Sequence, residues 1–158
     1  MLPSSRRLAS RESSMKKESS SLYLLDVNVL LALAWPNHQF HAAAIRAMER
    51  SRGRWATCAL TQLGFIGLSS NPAAISGAKS PAECAALLEA MVADSLHVYL
   101  NRLPPAAGDP SFSRLLGHNQ VTDSYLLLLA RRHNAVFVTF DGRLRTLAAD
   151  GQQVQVLP

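Results

Sequence analysis

The chain has 158 residues, 48% of them hydrophobic and 17% charged, with a net charge of +5 and a pI near 9.8. That length fits one domain that buries a core without disulfide or metal staples, and no apolar run approaches the roughly 18 residues that cross a bilayer. Cys58 and Cys84 match no CxxC or CxxH spacing and lie in apolar segments. Two buried, reduced thiols are therefore expected, which suits the cytoplasm. The basic balance is permissive of nucleic-acid binding without demanding it.

Residues 1–21 hold eight serines and five basic side chains (Arg6, Arg7, Arg11, Lys16 and Lys17) against Glu12 and Glu18, a net +3 of the +5 total. So few apolar groups do not offset the entropy of ordering the backbone, which predicts a disordered tail ahead of a domain over 22–158. No apolar h-region follows the basic residues, so a secretory signal is not expected, and Met15 is a second candidate start.

The domain opens on SLYLLDVNVLLAL. Tyr23, Leu24 and Leu25 form a short apolar run of the kind found inside a parallel sheet. It stops at Asp26, and a helix over 27–34 follows. In open α/β sheets ligands bind outside the carboxyl ends of the strands, so Asp26 is a candidate site residue as well as a helix cap. Pro36 and Asn37 break the helix, and Asn37 is expected to cap the next, over 38–51, which buries Phe40, Ala44, Ala47 and Met48 and ends at Gly53.

Residues 55–57 read as a second strand and 59–69 as a helix closed by Asn71-Pro72. Ser80-Pro81-Ala82-Glu83 is a capping box for a helix to about residue 92. A third strand follows over 96–100, then a Pro-rich loop. Val121-Thr122-Asp123 opens a Leu-rich helix to residue 133, with Thr122 or Asp123 as its cap and Asn134 as a left-handed residue just past its end. A strand over 135–140 leads to Asp141-Gly142, a short helix over 143–149 stops at Gly151, and 154–157 forms the last strand. Alternating strands and helices with short connections predict a three-layer α/β/α sandwich around a parallel sheet of four to five strands.

Such a sheet puts its strand ends on one rim, so Asp26, Asp123 and Asp141 are expected to converge. Clustered carboxylates in a partly dry crevice do not all stay ionised without a cation among them. Hard oxygen ligands suit Mg²⁺ or Mn²⁺ rather than zinc. Such ions promote phosphodiester hydrolysis. Asn28 is expected to orient Asp26 from the adjoining helix.

SLYLLDVNVLLAL, WATCALTQLGFIGLSSNP, GHNQVTDSYLLLLARRHNAVFVTFD and the closing VQVLP together resemble the PIN-domain family, in particular the VapC-type ribonuclease toxins of toxin-antitoxin pairs. The resemblance covers residues 22–158. It implies a magnesium-dependent endoribonuclease, usually homodimeric and inhibited by a cognate antitoxin. Asp26 matches the first family acid, Asp123 the third and Asp141 the fourth, while Asn28 matches the polar residue that commonly follows the first. The second acid, usually Glu, is replaced by Gln62, which offers a neutral oxygen or a hydrogen bond but no charge. A metal is therefore expected to be held less tightly than by four carboxylates.

Two alternatives stay open at this point. One is a catalytically weak PIN-fold protein that binds RNA or a partner. The other is an aspartyl-phosphate enzyme or receiver domain, disfavoured because Asn28 stands where a phosphohydrolase needs a second Asp and only Lys79 lies outside the tail. His38 and His41 lack the remainder of an HExxH motif. His118 is a loop residue near the third acid, and Arg131, Arg132, Arg143 and Arg145 are candidates to line a phosphate path. A partner helix is expected to dock among Leu30, Ala34, Phe65 and Leu68.

Overall fold

The structure is a computed structural model that describes residues 21–148 and 153–158. The predicted tail, except Ser21, and the stop at Gly151 lie outside the described residues. Five strands, β1 (Leu22–Leu25), β2 (Arg54–Cys58), β3 (His97–Leu100), β4 (Ala135–Thr139) and β5 (Val154–Val156), form one all-parallel sheet in the order β3-β2-β1-β4-β5.

Successive side chains on a strand point to opposite faces, and β1 shows the consequence. Leu25 packs with Val29, Trp35, Phe65 and Leu88 on one side, whereas Leu24 packs with Leu126, Leu129 and Phe137 on the other. The first core is covered by α1 (Val27–Ala34), α2 (His41–Ser51), α3 (Ala59–Ser69) and α4 (Pro81–Val92). The second is covered by α5 (Val121–Arg132) and α6 (Leu144–Leu147). Both faces of the sheet are thus closed, as the sandwich expectation requires.

Strand order reverses direction at β1: the chain steps outward through β2 and β3, then returns to place β4 on the other side of β1. The gap between the carboxyl ends of β1 and β4 is therefore a topological switch point, where an open sheet leaves a crevice. Asp26 follows β1, and its N–H donates to the Val138 carbonyl of β4 at 2.9 Å. The backbone itself pins the acid to that crevice.

Local chemistry explains most boundaries and corrects several. The Ser80–Glu83 capping box forms as expected, with the Ser80 N–H donating to Glu83 Oε2 at 2.9 Å and the Glu83 N–H to Ser80 Oγ at 3.3 Å. Asn134 takes its left-handed conformation at φ 51°. Asn37 does not cap α2. Its amide donates to the Ser76 carbonyl at 3.2 Å, and the helix starts four residues later, at His41.

At the end of α2 the left-handed residue is Arg52, at φ 46°, rather than Gly53. Gly53 is required for close approach instead, since a Cβ there would meet the Ser21 carbonyl oxygen at 2.4 Å and the Tyr23 ring at 2.5 Å. Leu30 and Phe65 are fully buried in the first core. They cannot line the expected partner groove, because what looks like an apolar helical stripe in the sequence is consumed by packing between α1 and α3.

Candidate active site

Asp26 occupies the cap position of α1 in extended backbone. Its Oδ1 accepts from the Val27 N–H at 2.7 Å, and its Oδ2 accepts from the Thr139 hydroxyl at 2.8 Å. The helix-cap expectation for this side chain therefore holds. It is 7% exposed, and burial pushes its carboxyl above the ordinary aspartate range. The bonds from Thr139 and Val27 work against that shift, and the charge of Asp141 adds to it.

Thr139 ends β4 fully buried. Its hydroxyl donates to Asp26 and accepts from the Asp141 N–H at 3.1 Å, so one oxygen ties the first acid to the loop that carries the last. Two residues beyond it, Asp141 is gripped by Arg143. The guanidinium Nε lies 2.9 Å from Oδ1 and an Nη lies 2.6 Å from Oδ2, which holds this carboxyl below its usual range. The Arg143 side chain is 86% exposed. Water screens such an ion pair, which leaves the arginine free to exchange partners.

Asp123 sits in the first turn of α5, where Gln120 holds the cap position but its side-chain oxygen accepts from the Leu116 N–H at 2.9 Å rather than from the helix. Neither Thr122 nor Asp123 caps the helix, because the helical turn over 118–120 runs directly into α5, whose cap is Gln120, two or three residues earlier than expected. The Asp123 carboxylate is consequently spared for the crevice. Burial raises its pKa first, then the charges of Asp26 and Asp141, with Arg143 acting in the opposite sense.

The three aspartates are thus close enough to feel one another. Among the described residues, however, no three His, Cys, Asp or Glu side chains are already gathered around one point as a ligand set, and Asp141 is bonded to Arg143. The donor chemistry nonetheless fits a hard divalent cation. Two carboxylates carry raised pKa values from burial and mutual repulsion, and both costs fall when positive charge enters.

Neither Asn28 nor Gln62 hydrogen-bonds to any of the three aspartates among the described residues. Asn28 is exposed on α1 without a side-chain hydrogen bond among the described residues. The orienting role expected of it is filled by Thr139. Gln62 lies one turn into α3, and its amide donates to Thr57 Oγ1 at 3.0 Å. That hydroxyl lies 2.8 Å from His97 Nε2. Thr57 is fully buried, and desolvation lowers the His97 pKa. With its oxygen accepting from Gln62, the Thr57 hydroxyl has its proton left for a neutral His97.

Thr139, Arg143 as the partner of Asp141, and the Thr57–His97 pair were not singled out from the sequence. The signal for Thr139 was its place as the last residue of an apolar strand, two before an acid. Replacing it by valine preserves shape and removes the hydroxyl, leaving a buried carboxylate oxygen short of a donor. Thr139→Val is expected to cost about 1–3 kcal/mol in urea unfolding and to weaken metal binding about 10- to 100-fold. An unchanged unfolding midpoint and unchanged metal affinity would count against the bridge.

The family model for the PIN domain matches residues 23–150. Among curated relatives, Ribonuclease VapC39 of Mycobacterium tuberculosis is 40% identical over 133 residues, covering 81% of this chain and 94% of the relative. Ribonuclease VapC38 of the same organism is 41% identical over 127 residues, covering 79% of this chain and 89% of the relative. Among solved structures, Mycobacterium tuberculosis VapC20, a Sarcin-Ricin loop cleaving toxin, aligns with a TM-score of 0.61 at 14% identity, covering 86% of this chain and 99% of that one. VapBC2 from Rickettsia felis, bound to a DNA fragment from its promoter, aligns with a TM-score of 0.57 at 12% identity, covering 87% and 99%. These structures share the fold, and the sequence matches share far more than the fold: this chain belongs to the PIN-domain family, in its VapC group.

Proposed function

We propose that the chain is the toxin of a cytoplasmic toxin-antitoxin pair, an endoribonuclease that hydrolyses RNA phosphodiester bonds with a divalent cation, Mg²⁺ or Mn²⁺. The observation that carries this is the electrostatic coupling of Asp26, Asp123 and Asp141 at the switch point of the sheet, in a chain about 40% identical to proteins named ribonucleases. Asp26 and Asp123 hold the cation, and Asp141 joins directly or through water once Arg143 lets go. Bound there, such an ion supplies water activation and offsets the charge that builds on the phosphodiester.

The chain's own groups do the remainder. Val27 and Thr139 fix the Asp26 carboxylate in one orientation. Arg143, exposed and held among the described residues only by Asp141, then takes a phosphate oxygen in place of that carboxylate. The antitoxin partner is supported by the VapBC neighbours, whose names pair two proteins. A homodimer is supported by Leu60 and Leu63, which stand exposed along α3.

The test is cleavage of single-stranded RNA by the purified full chain and by Asp123→Asn, with Mg²⁺ or with EDTA. Cleavage by the unsubstituted chain in Mg²⁺ alone is expected. Cleavage that survives both EDTA and the substitution would refute the proposal. Gln62→Glu restores the second family carboxylate at the cost of the amide's bond to Thr57, and it is expected to tighten Mg²⁺ binding roughly tenfold by calorimetry. An unchanged affinity would place residue 62 outside the metal site.

A further inference from the structure

Each crossover in a parallel sheet brings the chain back to the amino ends of the strands, the rim opposite the aspartates. Two of those returns carry arginines. Arg50 lies in the last turn of α2, Arg52 follows it and Arg54 opens β2, while Arg131 and Arg132 end α5 just ahead of β4. The register joins the two, because Leu22 of β1 pairs with Arg54 on one side and with Ala135 on the other. Neighbouring strands lie about 4.8 Å apart, so Arg54 and Ala135 are about 10 Å from each other. From Ala135 to Asp141 the chain runs six residues, about 20 Å at 3.3 Å per residue, which separates this rim from the acids.

All five arginines are exposed, and the ion pair among the described residues, Arg143 with Asp141, involves none of them. Of the acids on this side, Glu49 shares the end of α2, and Asp94 accepts from Trp55 Nε1 at 2.8 Å and from the Leu96 N–H at 2.9 Å. Asp109 feels the charges of Arg131 and Arg132. By sequence, the flanking segments outside the described residues add five basic side chains against Glu12, Glu18 and Asp150. Ser21 joins the first of those segments to this rim, since its carbonyl accepts from the Arg54 N–H at 3.1 Å.

The helix dipole accounts for basic residues in a helix's last turn, but Arg52 and Arg54 lie beyond that turn. Arg52 holds a left-handed conformation at φ 46°, where Gly or Asn is favoured and a larger side chain is strained. The end of α5 avoids that strain by placing Asn134 there, at φ 51°. An exposed arginine with no ion-pair partner among the described residues offsets none of its strain within the fold, and strain of this kind persists where a residue serves a ligand. Guanidinium forks match phosphate oxygens, and charges spread over about 10 Å suit a repeating polyanion rather than one small anion.

We propose that the amino rim is a second nucleic-acid surface, which grips the phosphate backbone of an RNA at a point remote from the bond that is cut. The proposal rests on the ribonuclease reading for the choice of RNA among phosphate polymers, and it adds a requirement that the substrate be long enough to reach both rims.

The experiment measures fluorescence anisotropy of a labelled 30-nucleotide RNA against the full chain carrying Asp26→Asn, in EDTA and over a range of salt. Arg52→Asn and Arg54→Gln are combined in one rim variant, Arg50→Gln and Arg132→Gln in a second, and Lys79→Gln and Arg102→Gln in a charge-matched control. Each rim pair is expected to weaken binding about tenfold and to reduce the salt slope by about 1.4, or 0.7 for each lost phosphate contact. The control should stay within twofold of the parent. Arg52→Asn alone relieves the left-handed strain, so it should raise the Tm while weakening binding, a separation that a purely structural arginine would not give. With Asp26 restored and Mg²⁺ present, the rim pairs should raise KM for the same RNA about tenfold and leave kcat within twofold.

Equal losses in the rim and control variants would overturn the proposal, as would rim-dependent binding confined to duplex DNA. Because binding is read without turnover, rim-dependent RNA binding by a chain that never cleaves RNA would sink the ribonuclease reading and leave the rim surface standing. Cleavage by the unsubstituted chain with a KM that the rim pairs do not move would do the reverse.

Discussion

Asp26→Asn is expected to abolish RNA cleavage, by at least about 10³-fold, while leaving the fold intact and raising its stability. Asparagine keeps the shape and still offers an oxygen to the Val27 N–H. Its amide can donate to the Thr139 oxygen, reversing the bond that Thr139 now makes. What vanishes is the charge that a cation needs.

The stability effect has a definite sign. Burial raises the Asp26 pKa, so the folded chain holds this proton more tightly than the unfolded one. The cost of an ionised Asp26 is absent below the ordinary aspartate value near 3.9 and complete above the raised one. The advantage of the asparagine chain without metal should therefore grow as pH rises through that window, reaching a Tm gain of roughly a few degrees at pH 7. Retained cleavage within tenfold, or a Tm difference that is flat with pH, would contradict this.

Phe137→Ala is expected to produce the largest loss of stability among the substitutions considered. Phe137 is fully buried on β4, in register with Leu24 of β1, and packs in the second core. Truncating a buried phenylalanine costs about 3–5 kcal/mol, a large share of the roughly 5–15 kcal/mol that holds a domain folded. For a chain of this size that corresponds to a Tm drop of about 6–20 °C. Activity should fall at 37 °C and recover at lower temperature, since Thr139 is only two residues away but its hydroxyl is untouched. A loss below about 1 kcal/mol in urea unfolding would mean that the two strands are not held together by this face of the sheet.

The sandwich was legible because strand and helix periods alternate cleanly from Leu22 onward and because Ser80, Glu83 and Asn134 are strong local signals. The rim was legible as well: Asp26 and Asp141 follow apolar strands, and strands that run parallel must end on one side. Connections carried by side chains were not. Arg143 lies two residues from Asp141 and reads in sequence as a solvated helix charge, and only the turn between β4 and α6 folds it back onto the acid.

Asn28 was assigned to Asp26 because it is close along the chain, yet Thr139, 113 positions away, is the residue that reaches it. Gln62 shows the same limit: the family resemblance puts it among the acids, but the partner of its amide is set by β2 and β3. The expected groove of Leu30 and Phe65 failed because burial between helices is a property of packing, which periodicity does not distinguish from an open apolar face.

Calorimetric titration of Mg²⁺ into the full chain and into its Asp26→Asn, Asp123→Asn and Asp141→Asn variants is the most direct trial of the shared-cation account. Binding should weaken at least about tenfold in each of the first two and less in the third, where Arg143 already competes for the carboxylate. Equal affinity in all four chains would show that the aspartates do not hold the ion together.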